Sequence, residues 1–102
     1  LDFATAPYNP PTINTTKDVL EMLEQRVVDG RSQLIPDNEH KLLESWTLRD
    51  GETIHFLNTK AETIRVSLSQ LIHHRAQLGV YLRLLDVPIP GSYGPSADET
   101  GM

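Results

Sequence analysis

The feature that most limits how this chain can fold is a helix-forming stretch with more apolar surface than one neighbour can cover. Ala61, Ile64, Leu68, Leu71, Arg75, Leu78, Leu82 and Leu85 recur at 3-4-3-4-3-4-3 spacing, the seam of a bundle or coiled coil broken only by Arg75. A second set, Ala76, Val80, Leu84 and Val87, occupies another side of the C-terminal half. At about 100° per residue the two sets lie roughly 160° apart, so this half is apolar on nearly opposite faces. Thr59 and Glu62 have the spacing of a capping box, and Pro88 prevents much extension beyond Leu85, which predicts a helix over 59–86.

Only one other stretch has convincing helical periodicity. Thr15 and Asp18 stand three apart at its start, and Leu20, Leu23, Val27 and Leu34 form a single stripe that Pro36 ends, predicting a helix over 16–35. Gly30 either weakens that helix or allows close packing. Residues 1–14, with Pro7, Pro10 and Pro11, read as an extended arm that Phe3 and Tyr8 pack onto a bundle. Residues 36–58 are a connection under which Leu42, Leu43 and Trp46 pack. Asp50-Gly51 marks a tight turn there, and short strand pairing around 46–48 and 53–56 is one way for it to fold. Residues 87–102, rich in Pro, Gly and Ser, read as a coil tail.

A helix with one stripe cannot cover a helix with two faces. Each Leu or Val left in water forfeits roughly 1.5–3 kcal/mol of burial energy, a large part of the about 5–15 kcal/mol that holds a domain folded. The expected fold is therefore all-α. It comprises two main antiparallel helices, 16–35 and 59–86, in one domain spanning 1–102, with a homodimer completing a four-helix bundle. The competing arrangement covers the second face with the arm and the connection.

A net charge of −5 with only nine Lys and Arg is a poor match to nucleic acid, which needs clustered basic charge. No apolar run approaches the roughly 20 residues of a membrane span, and no leader pattern is evident, so a cytoplasmic protein is expected. The absence of cysteine removes disulfides, thiolate metal sites and Cys nucleophiles.

Gln70, His74, Gln77 and Tyr81 share one face of the second helix, extended by Thr63 and Ser67, with His73 to one side. Imidazoles facing into a bundle can ligate a divalent metal or move protons near neutral pH. Adjacent His73 and His74 point about 100° apart, so they chelate one metal poorly. The residue four before His74 is Gln70, a poor zinc ligand, and a hydrogen-bonded polar layer accounts for the same stripe. Arg75 either binds an anionic ligand or pairs with a carboxylate across the dimer, with Glu21 and Glu24 as candidates.

Residues 67–99, SLSQLIHHRAQLGVYLRLLDVPIPGSYGPSADE, resemble the DinB-like family of metalloenzymes through the His-His-Arg-Ala-Gln core, the Tyr81-Leu82-Arg83 step and the ending Gly94–Glu99. The arm at Pro10-Pro11-Thr12 and the stretch Trp46–Gly51 fit more loosely. The resemblance implies a four-helix bundle, commonly dimeric. It also implies a divalent metal such as Zn or Ni held by three histidines, two of them in a His-x-x-x-His step. Some relatives are thiol S-transferases using bacillithiol or mycothiol. Here His74 matches the second histidine of the step, Gln70 stands in place of the first, and the early helix that supplies the third has no counterpart. The expected role is a non-catalytic or degenerate homodimeric scaffold. The alternatives are a metal-dependent, S-transferase-like enzyme with His74 and His73 or Gln70 converging across the dimer, and a small-ligand binder in which Arg75 holds an anion and Gln70, Gln77 and Tyr81 line the site.

Overall fold

Aromatic and β-branched residues around a tight turn build a hairpin in the middle of the chain. Strand β1 (Ser45–Asp50) pairs antiparallel with β2 (Thr53–Thr59). Gly51 opens the two-residue loop with φ +56°, a left-handed conformation that costs glycine nothing and most residues dearly. Leu48 pairs with Phe56 and Arg49 with Ile54, so His55 is the extra residue of a β-bulge. Trp46 and Phe56, diagonal neighbours on one face, meet edge to face with ring centroids 6.1 Å apart.

The all-α four-helix-bundle expectation is corrected by this hairpin. The connection 36–58 is a 3₁₀ segment (Pro36–Leu43) followed by a two-stranded sheet, and the fold is mixed α and β. Alternation at period two in SWTLRD and TIHFLNT, with Gly51 between them, outweighs any helical tendency there. The arm is corrected in its docking place. The Phe3 amide donates to Arg49 O (2.9 Å) and the Arg49 amide donates to Leu1 O (3.0 Å), so the first residues lie parallel along the edge of β1.

The computed structural model describes residues 1–100, which divide into two units, Leu1–Thr63 and the remainder from Ile64. Helix α1 (Thr16–Gln33) starts with the expected capping box: Thr15 Oγ1 accepts the Asp18 amide at 3.2 Å, and Asp18 Oδ2 accepts the Thr15 amide at 2.8 Å. The helix stops at Gln33 with Leu34 as its C-cap, short of the expected 35, and Ile35, extended as residues before proline tend to be, leads into Pro36, which opens the 3₁₀ segment. Helix α2 (Lys60–Leu84) follows β2 with no loop. Thr59 Oγ1 accepts the Glu62 amide (3.2 Å), the Lys60 amide donates to Glu44 O (2.8 Å), and the Lys60 ammonium pairs with the Glu44 carboxylate. No helix among the described residues is long and apolar enough to cross a membrane.

None of the described residues is buried. The stripe of α1 leaves Leu20 59% and Leu23 58% exposed, and the seam of α2 leaves Leu71 65% and Leu78 61% exposed. Both helices carry the expected apolar residues, yet among the described residues none of these side chains is buried.

Candidate functional site

The chemistry-bearing residues concentrate on the C-terminal half of α2 and the segment after it. Helix α2 closes with a Schellman turn: the Val87 amide donates to Leu82 O (2.9 Å) and the Asp86 amide to Arg83 O (3.0 Å), with Asp86 at φ 59°. Pro88 and Pro90 then keep the chain extended, and it packs back on its own helix, Ile89 lying over Gly79. A Cβ built at Gly79 lies 3.7 Å from Ile89 Cδ1, an ordinary packing distance.

Two acidic side chains hold this return in shape. Asp98 accepts the Ile89 amide (3.0 Å) and pairs with the Arg83 guanidinium. Glu99 accepts the amides of Gly91 and Ser96, both at 2.9 Å. The Ser96 hydroxyl donates to Ile89 O (2.6 Å) and accepts the Glu99 amide (3.3 Å), so Ser96 and Glu99 form a capping box for the short helix α3 (Ala97–Thr100). Gly91 is obligatory: a Cβ there would come within 2.1 Å of Gly94 O. The Ile89 amide, ahead of Arg83, holds the Asp98 carboxyl below its ordinary range, and the Gly91 amide, ahead of that of Ser96, does the same for Glu99.

The expected site residues fall on two sides of α2. Gln70, His74, Gln77 and Tyr81 share a face, and His74 Nδ1 and Gln77 Oε1 are hydrogen-bonded at 3.0 Å. The His73 and His74 rings are 5.3 Å apart at 56°, not in one chelating plane. Among the described residues no three His, Asp, Glu or Cys side chains gather as a metal-holding group. The three-histidine Zn or Ni site implied by the resemblance therefore does not fit the residues of one chain, where Gln70 takes one ligand place and Gln77 occupies the Nδ1 of His74.

Arg75 belongs to the other side. It lines a groove of about 690 Å³ together with Ile72, Ala76, Gly79, Leu82 and Arg83 of α2 and Ile89, Pro90, Ser92 and Tyr93 of the returning segment. About 100° per residue puts Ile72, Ala76, Gly79 and Arg83 roughly opposite Gln70, His74, Gln77 and Tyr81. Tyr81, expected to share a site with Arg75, lies outside the groove lining. Sequence reasoning missed Ile89 and Tyr93 as site residues. The available signal was the Ser96-x-x-Glu99 capping spacing, which marks an ordered turn inside a stretch otherwise read as coil. No protein-family model, no curated protein and no solved structure matches the chain.

Proposed function

We propose that this chain is a non-catalytic assembly module of the DinB-like kind, which completes its apolar packing against a second copy of itself. The observation that carries the reading is the absence of any buried residue among those described, although both long helices carry apolar stripes. Such stripes in water forfeit the burial energy that ordinarily stabilises a domain. A second copy is the simplest cover, since a stripe repeated about a two-fold axis meets its own equivalent. The resemblance of residues 67–99 to a commonly dimeric family agrees with it, and a cytoplasmic setting goes with it.

The titratable groups support a structural role. The carboxylates with displaced pKa values, Asp2, Asp18, Glu44, Asp98 and Glu99, are all lowered, and each accepts hydrogen bonds at a turn, cap or strand end. Sedimentation equilibrium across the micromolar range tests the reading. A mass of two chains, falling towards one on dilution together with loss of helical circular dichroism, is expected. A fully helical species of one-chain mass throughout would overturn it.

A further inference from the structure

We propose that the groove between α2 and residues 89–93 binds an apolar monocarboxylate, its carboxylate on Arg75 and its body along Ile72, Ala76, Gly79 and Ile89. The groove holds two guanidiniums in mostly apolar walls. They are not equivalent. Arg83 is already paired with Asp98. Arg75 has no carboxylate or hydrogen-bond acceptor among the described residues.

A guanidinium stays charged at all ordinary pH and offers a planar fork of donors that matches a carboxylate in bidentate fashion. One unpaired cation in an apolar trough selects a ligand with one negative charge and an apolar body. A phosphate dianion finds no second free cation in the groove lining, and a cationic ligand finds no carboxylate there. The volume falls within the range of about 300–1,000 Å³ typical of small-molecule sites. Gly79 lets the Ile89 side chain pack directly on α2, which sets the returning segment against the helix as one wall of the groove. All of its lining belongs to one chain, but it shares Arg75, Leu78 and Leu82 with the seam of α2, so binding there requires that a second copy pair through the stripe of α1 and leave this groove open.

The test is calorimetric titration of the full chain with decanoate, kept below its micellar range, and with decanol as the uncharged probe. Saturable binding of one decanoate per chain is expected. Arg75→Met, which keeps the aliphatic stem, weakens decanoate by about tenfold or more, the loss of a charge-assisted hydrogen bond, and leaves decanol unchanged. Arg75 is exposed, so this variant leaves the helix intact. Gly79→Leu fills the floor and weakens both probes. In amide spectra, decanoate shifts Gly79 and Ile89 and not Gly51. Equal decanoate affinity in the parent and Arg75→Met, or no saturable binding, overturns the proposal. So does decanoate affinity that falls as protein concentration rises, since that would make a second copy the groove's occupant.

Discussion

The hairpin and the two long helices solve opposite problems. In the hairpin nearly every constraint is supplied from within the chain. Asp2 Oδ1 accepts the Gly51 amide at 3.0 Å, Arg49 Nε donates to Gly51 O at 2.6 Å, and Trp46 meets Phe56 across the strands. The Gly51 amide, ahead of that of Ala4, holds the Asp2 carboxyl below its usual range. The helices have caps of the same quality, yet their long apolar stripes face water. Polar groups paired one to one fix conformation at the point of contact, whereas an apolar stripe is stabilised only by another surface of comparable length. On the reading proposed above, the helices are where a second copy would pack, and the hairpin is where local shape is fixed.

The largest expected effect breaks the helical side of that contrast. Leu23→Lys on α1 replaces a stripe residue that is mostly exposed in one chain, so a chain acting alone would lose almost nothing. If a second copy covers the stripe, each chain loses about 1.5–3 kcal/mol and the two-chain mass gives way to one-chain mass at micromolar concentration. Unchanged mass would remove α1 from the pairing surface.

Phe56→Ala acts on the hairpin side and should separate cleanly from it. Losing the edge-to-face contact costs about 0.5–1.5 kcal/mol beyond the area exposed. Emission of Trp46, the only tryptophan, should move to the red while the association state stays the same. Dissociation in this variant would mean that the hairpin face is itself the pairing surface, and the contrast would fail.

Acid sharpens the comparison without mutation. Asp2 at the hairpin and Asp98 and Glu99 on the returning segment titrate lower when folded than when free. The folded form thus binds fewer protons, so their contribution is complete above about pH 5, just above the ordinary carboxyl range, and is lost as pH falls through the lowered values. Amide exchange at Gly51, Ile89 and Gly91 should accelerate below that range. Amides in the middle of α2, which depend on no carboxylate, should follow only when association is lost. Gly51 and Gly91 amides that stay protected to pH 2 would disprove the staple role.

What was legible in the residues follows the same division. Thr15–Asp18, Thr59–Glu62 and Asp50-Gly51 announce two helix starts and a turn because the partners are three residues or fewer apart. Periodicity placed Gln70, His74, Gln77 and Tyr81 on one face, and His74 does bond Gln77. The pairing of residues 1–3 with Arg49 was not legible, because it spans more than forty residues of chain and is made by backbone groups that every sequence carries. The hairpin was only partly legible: the Asp50-Gly51 turn left strand pairing around 46–48 and 53–56 as one way for the connection to fold, the fold expected was all-α, and the bulge at His55 depends on a register that no local spacing announces. The groove was hidden because it depends on which face of α2 the segment after Pro88 returns to. That choice is made by Asp98 reaching back to Ile89 and Arg83, a contact between residues the composition assigned to coil.

The smallest expected effect tests the hinge that makes the groove. Asp86 is the only described non-glycine residue with positive φ, at 59°, where a side chain is disfavoured although Asp tolerates it better than most. Asp86→Gly removes that penalty while enlarging the freedom of the unfolded chain, a net gain of about 0.5–1 kcal/mol. Asp86→Val, a β-branched residue in the same conformation, should lose about 1–2 kcal/mol. Denaturant midpoints followed by exchange at Ile89 read both changes. The ordering Gly above Asp above Val, with the association state constant, places the strain at the turn and separates it from the pairing of helices. Equal midpoints for all three would mean that the segment after Pro88 is held by Asp98 and Glu99 alone, and that the backbone reversal at Asp86 follows from their hydrogen bonds.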